Sequence, residues 1–144
     1  MNLLWGWNTM NRRISAFLSV AVMALVTPAL ADNPTTLGTF KDWTALTVGT
    51  GSNKTCYVIS RPQSSLPAKA KRDPIGFLIT DWPSRNAKAE PEVVPGYQYK
   101  DGSTVTAQVG SDKFDFFTKN DDGQGGAWIK IPADEARLVS AMRS

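Results

Sequence analysis

The feature that most constrains the fold is a short-range alternation of apolar and polar residues that runs through most of the chain after Ala31. Side chains of an extended strand point to opposite faces in turn, so a period of two describes strands with one face buried and one wet. Gly, Pro, Asn and Asp punctuate the pattern and mark the turns between them. Trp43–Val48 reads as a strand, Gly49–Lys54 as a turn and Thr55–Ser60 as the hairpin partner. A long loop is expected over Arg61–Asp73, then the most apolar strand, Ile75–Thr80, in a central position. Asp81–Pro91 is polar and bounded by prolines, which predicts a loop, and Glu92–Tyr99 a strand interrupted by Pro95-Gly96. Thr104–Val109 and Lys113–Thr118 flank a turn at Gly110–Asp112, and Asn120–Gly126 reads as a hairpin loop before a strand over Ala127–Ile131.

The period then changes. In Pro132–Arg143 a proline opens the segment, acids follow in the first turn, and Leu138, Val139 and Met142 share one face, which predicts a short amphipathic helix. The expected fold is mainly β: an antiparallel sandwich or a partly open barrel with one short C-terminal helix. The helix runs to the last residues with an apolar face that needs cover, so further chain is expected beyond Ser144.

Residues 1–31 belong to a different kind of sequence. Arg12 and Arg13 precede an apolar run, Ile14–Val26, and Ala29-Leu30-Ala31 forms a small-x-small end before the polar Asp32. This is the layout of a secretory signal peptide cut between Ala31 and Asp32. The run is about 13 residues, short of the roughly 20 a helix needs to span a bilayer, so no transmembrane span is expected after cleavage. The arginine pair lacks the longer twin-arginine context, which favours Sec-type export. Met10 offers a second possible start, because Met10-Asn11-Arg12-Arg13 is a compact n-region by itself.

Residues 32–144 are long enough for one domain with one modest core. Without Arg12 and Arg13 the charge is nearly balanced, 14 Lys and Arg against 13 Asp and Glu. That argues against nucleic acid as a partner, which needs a clustered basic surface. The densest basic stretch, Lys69-Ala-Lys-Arg72, lies among Pro67, Asp73 and Pro74 and reads as a solvated loop. There is no histidine and a single cysteine. Ser-His-Asp and Cys-His catalysis are thereby excluded, and structural zinc and iron–sulfur sites lose their ligands. No cofactor is expected.

A few residues remain as candidates. Cys56 sits within a strand, as a buried small apolar residue or, in an exported protein, as half of a disulfide whose partner this chain lacks. Asn120-Asp121-Asp122 superficially resembles a cation loop, but Gln124, Gly125 and Gly126 break the alternation that calcium ligation uses, which leaves a hairpin. Asp81 and Asp115 are the carboxylates that an alternative reading, a hydrolase acting on envelope glycans, would need as a pair. Asp115 between two phenylalanines reads more simply as the wet face of a strand. Most of the aromatics read as core. Trp82, in Asp-Trp-Pro-Ser at a strand end, is the one singled out for surface binding by stacking.

Thr39-Phe-Lys-Asp-Trp43 followed by Lys54-Thr-Cys-Tyr-Val-Ile-Ser60 resembles the opening of the invasion-associated locus B family. Arg72-Asp-Pro74, Lys113-Phe114, Gly126-Ala-Trp128 and Glu135-Ala-Arg137 with Ala141-Met-Arg143 extend the likeness in order over most of residues 37–143. The resemblance implies an exported bacterial protein, periplasmic or associated with the outer membrane, with a single β-rich domain. The family takes its name from a virulence-associated role in host-cell invasion and offers no catalytic residues to carry over. The lack of histidine and of an acid–base constellation favours a non-enzymatic role, binding a protein or glycan of the envelope or host. Two departures stand out. The family's cysteine in or after the first strand is absent here, and similar chains continue past the helix with more strands and a late cysteine, which would pair with Cys56.

Overall fold

The computed structural model describes residues 32–143. The expected signal segment, with Ala31 of its cleavage site, lies outside them. Asp32 is the first described residue, exposed and ahead of the first strand.

Among the described residues the chain forms β1 (Thr35–Phe40), β2 (Trp43–Val48), β3 (Thr55–Ser60), β4 (Gly76–Trp82), β5 (Ala87–Val94), β6 (Thr104–Val109), β7 (Asp112–Asp121), β8 (Gln124–Trp128) and one helix, α1 (Pro132–Ala141). All the strands join one antiparallel sheet in the order β1-β2-β3-β4-β5-β8-β7-β6. The first five form a meander. The chain then leaves β5, passes over the ends of β8 and β7, and returns through a second meander whose last strand closes onto β5. The sheet does not close, and β1 and β6 are its edges. The mainly β antiparallel fold with one C-terminal helix is therefore as expected, built as a single open sheet.

Several boundaries differ from the sequence reading, each for a local reason. β1 was not among the expected strands; Thr35–Phe40 lacks a clean alternation, and a register shift between Thr36 and Gly38 interrupts its pairing with β2. Asp81–Pro91 is not a loop. Asp81 and Trp82 end β4, a short turn follows at Pro83–Arg85, and β5 begins at Ala87. Pro91 fits within a strand because β5 pairs with β8 only at Glu92 and Val93, which leaves Ala87–Pro91 with β4 as its one paired strand. The strand expected to continue to Tyr99 stops at Val94. The loop expected over Asn120–Gly126 contracts to Asp122-Gly123, both at positive φ (44° and 83°), as a two-residue hairpin turn of the primed type requires.

The sheet is strongly curved. The ring of Phe77 on β4 stands 6.2 Å from Trp43 on β2 and 6.4 Å from Phe116 on β7, both edge-on. Across a flat sheet β4 and β7 would lie roughly 14 Å apart. The core fills the concave side over the second meander: Phe114, Phe116, Ala127, Ile129 and Leu138 are buried, with Val93, Val105 and Ala107 packed around them. α1 supplies Leu138, fully buried, and holds Arg137 4.5 Å above the ring of Phe114. The concave side of the first meander is more open. Trp43, Val58 and Ile79 meet Val139, Met142 and Arg143 of the helix end around an opening of about 240 Å³. No helix among the described residues is long and apolar enough to cross a membrane.

Candidate ligand groove

Strand alternation that sends Phe114 and Phe116 into the core sends Phe117 to the other face of β7, where it is 46% exposed. In register with it across the sheet lie Trp128 on β8 and Glu92 on β5. The Phe117 and Trp128 rings are 6.1 Å apart and tilted by 38°. Trp128 folds back along its own strand over Gly126, and any side chain at that position would collide with the indole ring. The Gly-Gly-Ala-Trp sequence thus lays an aromatic surface flat against the sheet.

A second aromatic enters from β4. Trp82 ends that strand on the same face, and the turn Pro83–Arg85, closed by Asn86 in a left-handed conformation (φ 53°), brings the chain straight back beside it. Its Nε1–H donates to Glu90 Oε1 at 3.1 Å, and Arg85 donates to the same oxygen at 3.3 Å. The Arg85 guanidinium also lies 4.4 Å from the centre of the Trp82 ring. Tryptophan, arginine and glutamate form one interlocked group. The hairpin is shaped by a bulge: Lys88 and Ala89 together oppose Asp81, and Asp81 Oδ1 accepts the Ala89 N–H at 2.7 Å.

Between these two aromatic groups runs a groove of about 650 Å³, rimmed also by Lys119, Asp121 and Glu135. Burial pushes the Glu92 carboxyl above the usual glutamate range, and the neighbouring Glu90 pushes it further. Glu135, on α1, is raised by the same two causes in the same order. The ion pairs formed among the described residues are Arg85–Glu90 and Arg137–Asp134, so Glu92 and Glu135 have no cationic partner there. Aromatic faces beside carboxylates that accept hydrogen bonds are the groups that grip a polar ligand with apolar C–H faces, as a sugar has.

Trp82 thus lies in this groove. Phe117, Trp128, Glu90, Glu92 and Glu135 were not singled out from the sequence. One signal was legible: of two consecutive phenylalanines in a strand, Phe116 and Phe117, only one can face the core. The carboxylates gave none: Glu90 fell in an expected loop, Glu92 opened an expected strand and Glu135 lay in the expected helix, and no local period links the three.

The other candidates go elsewhere. Asp81 and Asp115 are not brought together. Asp81 holds the bulge on the concave face, while Asp115 lies on the opposite face of β7 and accepts a hydrogen bond from Thr106 Oγ1 at 2.8 Å. Cys56 is half-buried on the concave face as a free thiol, 3.7 Å from Thr47 Oγ1, to which it donates. With one cysteine in the sequence no disulfide forms within this chain, and the expected half-disulfide has its partner outside it. Asn120 is not part of a cation loop, since its side-chain amide accepts the Tyr99 N–H at 2.8 Å and donates to the Tyr99 carbonyl at 2.9 Å. No group of three or more metal-ligating side chains occurs among the described residues. Arg72, from the basic loop, is half-buried, donates to the Leu66 carbonyl at 2.6 Å and lies 5.2 Å from the Tyr97 ring centre.

No protein-family model, curated protein or solved structure matches this chain.

Proposed function

We propose that this chain is an exported bacterial envelope protein of the invasion-associated locus B type, located in the periplasm or at the outer membrane. It acts by binding a glycan of the envelope or host, without catalysing a reaction. The observation that carries the binding reading is the groove itself, with Trp82, Phe117 and Trp128 kept out of the core beside half-buried carboxylates. Export is supported by the arginine pair, apolar run and Ala-Leu-Ala end of the first 31 residues.

Expression of residues 1–144 in a bacterium tests both parts. Mass spectrometry of the exported product is expected to place its first residue at Asp32. Titration with envelope oligosaccharides is expected to quench tryptophan fluorescence, with binding lost in Trp128→Ala. A product that keeps residues 1–31 argues against signal cleavage. Oligosaccharides that bind Trp128→Ala as well as they bind the parent protein remove the groove from the proposal.

A further inference from the structure

We propose that the groove selects a positively charged sugar, a glycan whose hexosamine units carry free, protonated amino groups. This rests on the reading of the groove as a glycan site and adds the charge of its ligand.

Four carboxylates face the groove, Glu90 and Glu92 from β5, Asp121 from β7 and Glu135 from α1, against two cations, Arg85 and Lys119. Arg85 is already committed, paired with Glu90 at 3.3 Å and stacked on Trp82. Lys119 forms no ion pair among the described residues, which leaves the negative charge of Glu92 and Glu135 uncompensated by direct contact. Burial is the main cause that raises both carboxyls, and the nearby Glu90 carboxylate adds a smaller push in the same direction.

The chain also shows what chemistry the surface holds. At one end, Arg85 supplies a cation that meets an indole face and a carboxylate together. At the other end, Trp128 and Phe117 stand beside Glu92 without a partnered internal cation. A hexosamine supplies both missing parts. Its C–H face covers the tilted aromatic pair, and its ammonium reaches the carboxylates. An extended basic peptide brings the charge but no rigid apolar face to match the rings, and an N-acetylated sugar brings the face without the charge.

The test compares three probes on the exported protein by calorimetry at low salt: a glucosamine oligomer, the N-acetylglucosamine oligomer of the same length, and an oligolysine of matched charge. The glucosamine oligomer is expected to bind about tenfold or more tighter than either of the others, with that advantage shrinking as salt is raised. Glu92→Gln, which keeps the shape of the side chain, is expected to remove most of the preference, lowering the affinity for the glucosamine oligomer by more than that for the acetylated one. Equal affinity for the two sugars overturns the charge selection and leaves the glycan reading standing. Oligolysine binding as tightly as glucosamine overturns the sugar class, and a preference that survives in the double variant Glu92→Gln, Glu135→Gln overturns the assigned carboxylates. Binding of none of the three overturns this inference; whether neutral envelope oligosaccharides still quench tryptophan fluorescence then decides the glycan reading separately.

Discussion

At the scale of single residues, the groove works against the stability of the fold that carries it. Glu92 is half-buried beside another carboxylate, and its carboxyl is raised in the folded protein. A raised carboxyl favours the protonated form in the native state. Its contribution to stability is therefore complete below the pKa of an unfolded glutamate and is lost as pH rises through the higher folded value. Glu92→Gln has no such loss. The variant is expected to be more stable than the parent at neutral pH, by under ~1 kcal/mol because solvent screens a half-exposed group, with the difference vanishing in acid. Urea midpoints measured at both pH values check this. A parent protein as stable as the variant at neutral pH would remove the strain from the groove. Trp128 carries a comparable constraint, since its flat placement leaves room only for glycine at 126.

At the scale of elements, the β4–β5 hairpin decides where the site lies. Ala89 occupies a left-handed conformation (φ 53°) that costs a non-glycine residue roughly 1–2 kcal/mol. The Asp81 carboxylate offsets that cost by accepting the Ala89 N–H. Ala89→Gly is expected to stabilise the protein by about 1 kcal/mol, and Asp81→Ala to destabilise it by about 1 kcal/mol. Thermal melts of the two variants measure both signs, and a destabilised Ala89→Gly would show the bulge to be held by something else. Much at this scale was legible in the sequence. Trp43–Val48, Thr55–Ser60 and Thr104–Val109 have the bounds that alternation predicts, because each is flanked on both sides by turn-forming residues. Ala87–Pro91 was not legible. Its proline and charges read as loop, and only the absence of β8 alongside makes that stretch a local edge where such residues are tolerated.

At the scale of the whole molecule, the two meanders are unequally packed. The second, with α1, contains the buried core, whereas every residue of β2 is only half-buried and most of β1 is exposed. Local stability follows buried contact, so amide exchange is expected to be slowest in β7 and β8 and faster in β1 and β2. Exchange monitored by mass spectrometry checks this, and uniform protection along the sheet would contradict it. Phe116, with no exposed surface and a ring against Phe77, joins the two halves. Phe116→Ala is expected to cost about 3–5 kcal/mol in chemical denaturation, enough to threaten the fold. Alternation and turn residues made the β character, most of the turns and the C-terminal helix readable in the amino-acid sequence. Those depend on the local period of the chain and on its inventory of residues. The tertiary structure decided that one curved sheet would form, that Asp81 and Asp115 would face opposite ways, and that Trp82, Trp128 and the β5 glutamates would share a groove. Those outcomes depend on which strands become neighbours, and β5 meets β8 across more than thirty intervening residues. No period within either strand records that pairing, because it arises only when the two apolar faces close over a common core.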